Sequence, residues 1–138
     1  MTSVKPRRRL DMRGLIAIHQ ELVTRYGGQA RSRSREVESA MLELSLTRAV
    51  TFGGDGKQHT YARIAAGYAW ALLLNRPFAE GNEQVALAAM VTYLEMNGLS
   101  WKCSEAEETA MVLRAAAKEI KEDAWKEWVI RNVGSSRP

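Results

Sequence analysis

Two stretches of the chain are apolar around the whole helical circumference. Residues 64–74 read Ile-Ala-Ala-Gly-Tyr-Ala-Trp-Ala-Leu-Leu-Leu, and residues 85–96 carry only Thr92 and Glu95 as clearly polar positions. Helices without a polar face belong at the centre of a domain. Each run is about half the length of a membrane span, so burial inside a globular protein accounts for it better than lipid does. Amphipathic segments surround this pair. Leu15, Ile16, Ile18, Leu22, Val23 and Tyr26 follow helical spacing up to a stop at Gly27-Gly28. A second helix is expected from about Ser34, its N-cap, to about Ala49. Residues 50–60, with Gly53-Gly54-Asp55-Gly56 at their centre, have loop chemistry. After Asn97-Gly98 closes the second apolar run, residues 99–103 form a short extended connection. Ser104 and Glu107 make a capping box for the next helix, and residues 122–132 form a last one with Trp125, Trp128 and Val129 on one face. No sustained strand period and no internal repeat is visible. The pattern predicts an all-α fold: one domain of about six helices over residues 11–133, with a central buried helical hairpin. A disordered basic tail (1–10) and a flexible C-terminus (134–138) flank it.

The connection inside the hairpin reads Asn75-Arg76-Pro77-Phe78-Ala79-Glu80-Gly81-Asn82-Glu83-Gln84. Pro77 disfavours helical geometry at Arg76 and stops the first helix. Asn82 is the expected N-cap of the second. Gly81 leaves space where the new helix exposes its unpaired N–H groups, which is an anion site by default.

Length and composition agree with one globular domain: 138 residues, 46% hydrophobic and 26% charged. The formal charge of +4 is unevenly spread. Lys5, Arg7, Arg8 and Arg9, and then Arg31, Arg33 and Arg35, are basic clusters, whereas residues 105–108 are acidic. Neither basic cluster has interleaved aromatics. A solvated tail and loop is one reading, and a nucleic-acid footprint is the other. The single cysteine, Cys103, rules out an internal disulfide, suits a reducing cytoplasm and reads as a packing thiol. The first twenty residues lack the apolar core of a signal peptide, so a cytoplasmic protein with no membrane association is expected.

With these residues in view, the chain resembles the Doc (death-on-curing) branch of the Fic/Doc, or Fido, superfamily, over about residues 15–98. The superfamily signature is Asn or a similar residue, His-Pro-Phe, any residue, Asp or Glu, then Gly-Asn-Lys-Arg. This chain keeps Asn75, Pro77, Phe78, Glu80, Gly81 and Asn82 in register. Leu15-Ile16-Ala17-Ile18-His19 followed by Arg25-Tyr26-Gly27-Gly28 is similar to the first helix and turn of Doc toxins. The resemblance implies a loop that binds the phosphates of ATP, an acidic residue carrying magnesium and a histidine that deprotonates a target hydroxyl. It also implies transfer of AMP, as in most Fic enzymes, or of the terminal phosphate to elongation factor Tu, as in Doc toxins. A prevent-host-death antitoxin that docks a C-terminal helix beside the site is the implied partner.

The substitutions work against that chemistry. The family histidine falls at Arg76, and a guanidinium stays protonated at physiological pH, so it cannot serve as the base. Arg76 then either complements the end of its helix or holds an anion. At Glu83 and Gln84 two family cations are exchanged for one anion and a neutral amide. Two like unit charges about 4 Å apart repel by about 4 kcal/mol at an effective dielectric of 20, so Glu83 opposes a polyphosphate there. Alternatively, Glu83 complements the helix N-terminus in place of a phosphate. Glu80 survives as a weak magnesium ligand, since that metal relies on substrate phosphates for further ligands. Gly81 and Asn82 are explained by the turn, and Pro77 and Phe78 by loop structure. His59, beside the glycine-rich segment, is the substitute base to weigh; His19 reads as structural. Trp125 and Trp128 read as core or interface anchors. The leading expectation is a diverged Doc-like pseudoenzyme of a toxin–antitoxin system that binds a protein partner. The alternatives are a transferase acting on a translation factor or other target through Arg76, Glu80 and His59, and a nucleic-acid-binding module.

Overall fold

The computed structural model describes residues 11–26, 60–78 and 80–135. Five helices are present among them: α1 (Met12–Tyr26), α2 (Thr60–Asn75), α3 (Asn82–Met96), α4 (Glu105–Ala116) and α5 (Glu122–Arg131). Two three-residue strands, β1 (Leu99–Trp101) and β2 (Val133–Ser135), complete the described chain. The fold is all-α in character. The basic tail, Gly27-Gly28, the expected helix from Ser34, the expected loop up to His59 and residues 136–138 lie outside the described residues.

The hairpin of α2 and α3 is the centre of the domain. Alanines 65, 66, 69 and 71 on α2 and alanines 86 and 89 on α3 are buried, and such small side chains let two helix backbones approach closely. Tyr68 and Tyr93 meet across the hairpin with ring centroids 5.1 Å apart. Every residue from Ala65 to Leu73 is buried. Leu74 is the exception to the apolar pattern: it is 41% exposed where α2 reaches the connecting loop. Helix α1 packs on α3, α5 packs on α2, and α4 touches both helices of the hairpin. Helix α2 also starts at Thr60, earlier than its apolar run, because Ala62 is buried and Tyr61 reaches Tyr93.

All four tryptophans stand in one chain of ring contacts. Trp70 on α2 meets Trp125, Trp125 meets Trp128, and Trp128 meets Trp101 edge to face, with centroid separations of 6.2, 5.1 and 5.2 Å. Three of these indoles donate hydrogen bonds that fix their orientation. Trp125 Nε1 donates to the Ala66 carbonyl (3.0 Å), Trp128 Nε1 to Glu107 (2.8 Å) and Trp101 Nε1 to Glu108 (2.6 Å). Ser104 caps α4 by accepting from the Glu107 amide at 3.2 Å. The Glu107 carboxylate accepts from Trp128, so it ties α4 to α5.

Two residues of the end expected to be flexible, Gly134 and Ser135, lie in a strand. Val133, Gly134 and Ser135 pair antiparallel with Trp101, Ser100 and Leu99. The Lys102 side chain lies over Gly134: a Cβ there would come within 2.8 Å of Lys102 Cε, the far end of a flexible side chain that can move aside. Three-residue strands are too short for any alternation to show in sequence.

Candidate functional site

The loop between α2 and α3 is held by three devices. Arg76 still donates its backbone N–H to Leu72 at 3.0 Å, but its φ of +44° takes it out of the right-handed helix. A residue before proline avoids the α region, and Arg76 adopts a left-handed conformation uncommon outside glycine. Helix α2 therefore ends at Asn75, and Arg76 stands one residue beyond it rather than in its last turn. Pro77 and Phe78 turn inward and are buried.

Asn82 is the second device, and it corrects the expected cap. It is the first residue of α3; the capping position is Gly81, at φ +84° and with no side-chain cap. The Asn82 amide is instead buried and faces back along the loop. Its Oδ1 accepts from the Phe78 N–H at 3.0 Å and its Nδ2 donates to the Phe78 carbonyl at 2.7 Å. One side chain thus satisfies both backbone polar groups of a buried residue, much as a strand neighbour does. Asn82→Ala should cost about 2–4 kcal/mol in urea unfolding, because both Phe78 groups lose their partner inside the protein. A loss below about half of one kcal/mol in that measurement would contradict the role.

His19 is the third device. It is 4% exposed on α1, and its ring stacks on Phe78 at 3.9 Å between centroids and 8° between planes. Nε2 lies 3.2 Å from the Glu80 carbonyl, so this nitrogen carries the proton and donates. A Cβ at Gly81 would sit 3.7 Å from the same ring. The sequence pattern places His19 with the structural residues of α1 and does not disclose its contact with the loop, 61 positions away. The available signal is spacing: Leu15, His19 and Leu22 share one helical face, and that face packs against the core.

At the mouth of the loop Arg76 and Glu83 come together. Arg76 Nη1 donates to Glu83 Oε2 at 3.0 Å, with the side chains 44% and 28% exposed. The anion that Arg76 holds is supplied by the chain itself. Glu83 stands in the first turn of α3 and pairs with the cation just past the end of α2. Glu80 and Gln84 are exposed beside them. Among the described residues no group of three or more His, Cys, Asp or Glu side chains is placed to hold a metal ion. His59 lies outside the described residues. Cys103, on the connection to α4, is away from the loop in sequence; burial, and then the charges of Glu107 and Glu108, raise its thiol pKa above the usual value.

Helices α1, α2 and α3 and the loop between the last two thus form one unit that presents a short charged rim over a clamped backbone. The Fic/DOC family model matches this part of the chain, residues 9–94. The chain belongs to the Fic/DOC family. The match ends within α3, and β1, α4, α5 and β2 come after it. No curated protein matches the chain. No helix among the described residues is long and apolar enough to cross a membrane.

Proposed function

We propose that this is a Doc-like member of the family, from a cytoplasmic toxin–antitoxin system, that has lost standard ATP-dependent transfer and acts by binding a protein partner. The observation that carries this reading is the Arg76–Glu83 pair at 3.0 Å. The side chain standing where the family base is expected is a permanent cation, and its charge is already neutralised from within the loop. A nucleotide phosphate entering here would have to separate the pair. Surface pairs of this kind contribute only about 0–1 kcal/mol, so separation by itself is a small barrier. Repulsion outweighs it, because the separated Glu83 would face the phosphate at the helix entrance. At about 4 Å that repulsion approaches 4 kcal/mol for an effective dielectric of 20, and less in this half-exposed setting. The residues present therefore do not fit a magnesium-bound triphosphate, for which Glu80 would be a single carboxylate ligand. A partner segment needs no such charge balance. A small antitoxin of the prevent-host-death kind is the partner class that the family implies.

Titration of the purified protein with magnesium and ATP in a calorimeter should show no binding at micromolar concentrations. A micromolar dissociation constant would mean that Glu83 does not exclude the triphosphate. Growth arrest on expression that Glu80→Ala relieves would favour a working transferase instead. Co-expression with the product of a short adjoining reading frame should yield a complex that survives gel filtration.

A further inference from the structure

We infer that His19 is a positioning residue of this loop: its bond to the Glu80 carbonyl fixes the orientation of the Glu80–Gly81 peptide. The inference rests on the reading that the loop is the binding element, but its test needs no partner and no nucleotide.

A peptide plane can turn over by concerted change of the torsions on either side of it, here ψ of Glu80 and φ of Gly81. Glycine tolerates positive and negative φ about equally, so Gly81 itself does not select between the two orientations. The neighbouring chain must therefore supply the selection. Gly81 stands at φ +84°, and the carbonyl of the peptide preceding it is the acceptor for His19 Nε2 at 3.2 Å. There is no cis peptide bond among the described residues, and in a trans peptide the N–H points opposite to the C=O. With the Glu80 carbonyl directed at α1, the Gly81 N–H is directed away from α1. It lies at the start of α3, where the Gly81 carbonyl accepts the first helical bond from Val85 at 2.9 Å.

His19 is itself fixed, by burial and by its parallel stack on Phe78. Phe78 is in turn held at its backbone by Asn82. The two clamps divide the work: Asn82 sets the chain at Phe78, and His19 sets the peptide after Glu80. Stacking and hydrogen bonding can be separated chemically, because phenylalanine keeps the stack and removes the donor, whereas glutamine keeps a donor and removes the ring.

The test uses 15N-labelled full-length protein with His19→Phe and His19→Gln. In His19→Phe the amide exchange of Phe78 and Val85, the hydrogen-bonded donors at the two ends of the loop, should rise about tenfold, as expected for loss of one buried hydrogen bond, with exchange broadening of the Gly81 signal. Amides of α2 should keep their protection. His19→Gln should restore the Gly81 signal toward wild type. Unchanged loop amides in His19→Phe would overturn the inference. So would loss of protection throughout the domain in both variants, since that pattern belongs to a core residue with no particular hold on the loop. If the loop amides respond as stated and no protein partner binds, the functional reading fails while the positioning role stands.

Discussion

Converting Arg76 to His, Glu83 to Lys and Gln84 to Arg together should give a protein that transfers a phosphoryl or adenylyl group from ATP. A base at position 76 contributes about 10²- to 10⁴-fold by itself. The two cations remove the repulsive Glu83 and supply attraction at the same helix entrance, so nucleotide affinity and transfer should rise together. The backbone is suited to the exchange. Histidine is among the residues enriched at positive φ, and position 76 has φ +44°. Lysine at position 83 opposes the helix dipole, at about 0.3–1 kcal/mol, well within what the domain tolerates. Radiolabel placed on the α- or γ-phosphate distinguishes adenylyl from phosphoryl transfer. Arg76→His alone should remain inactive, since Glu83 then faces the nucleotide without its cation. Adding Glu80→Ala to the triple variant should abolish the acquired activity. A folded triple variant that binds magnesium and ATP but transfers nothing would show that the frame has drifted beyond its charges.

The hairpin could be read in the sequence because two helices lacking any polar face have only one place to go. The stop at Asn75 was equally legible, since Pro77 acts on its neighbour through local sterics alone. Other features depend on distances that sequence does not carry. Asn82 has the composition of a cap, but the cap is Gly81, and the Asn82 amide faces Phe78 because the loop folds back to within one side chain's reach. His19 meets Glu80 only because α1 packs on α3. The Arg76–Glu83 pair is seven residues apart across a reversal of direction, not two turns along one helix, so no helical spacing rule announces it. In each case residue type set the chemistry and tertiary packing chose the partner.

Trp125→Ala should be the most damaging single change to the fold. The side chain is fully buried between Trp70 and Trp128, and its removal leaves a cavity the size of an indole. Truncations of this kind cost about 3–5 kcal/mol. The Ala66 carbonyl also loses its donor, at roughly a further 1–3 kcal/mol. Against a total stability of roughly 5–15 kcal/mol, the domain should be close to unfolding at room temperature, with the melting midpoint lowered by more than about 10 °C. Trp125→Phe keeps an aromatic ring in the site but loses the donor and part of the packing, so a smaller drop, of about 1–3 kcal/mol, is expected. A Trp125→Ala protein within about 1 kcal/mol of wild type in urea would refute a central place for this indole in the core. The placement of the bond gives the result a wider meaning. Trp125 is on α5, beyond the segment that matches the family, and Ala66 is on α2, the helix that leads into Arg76. The C-terminal helices are therefore fastened to the backbone of the helix that delivers the loop. A partially destabilised Trp125→Phe protein should lose amide protection in α5 before the loop between α2 and α3 opens.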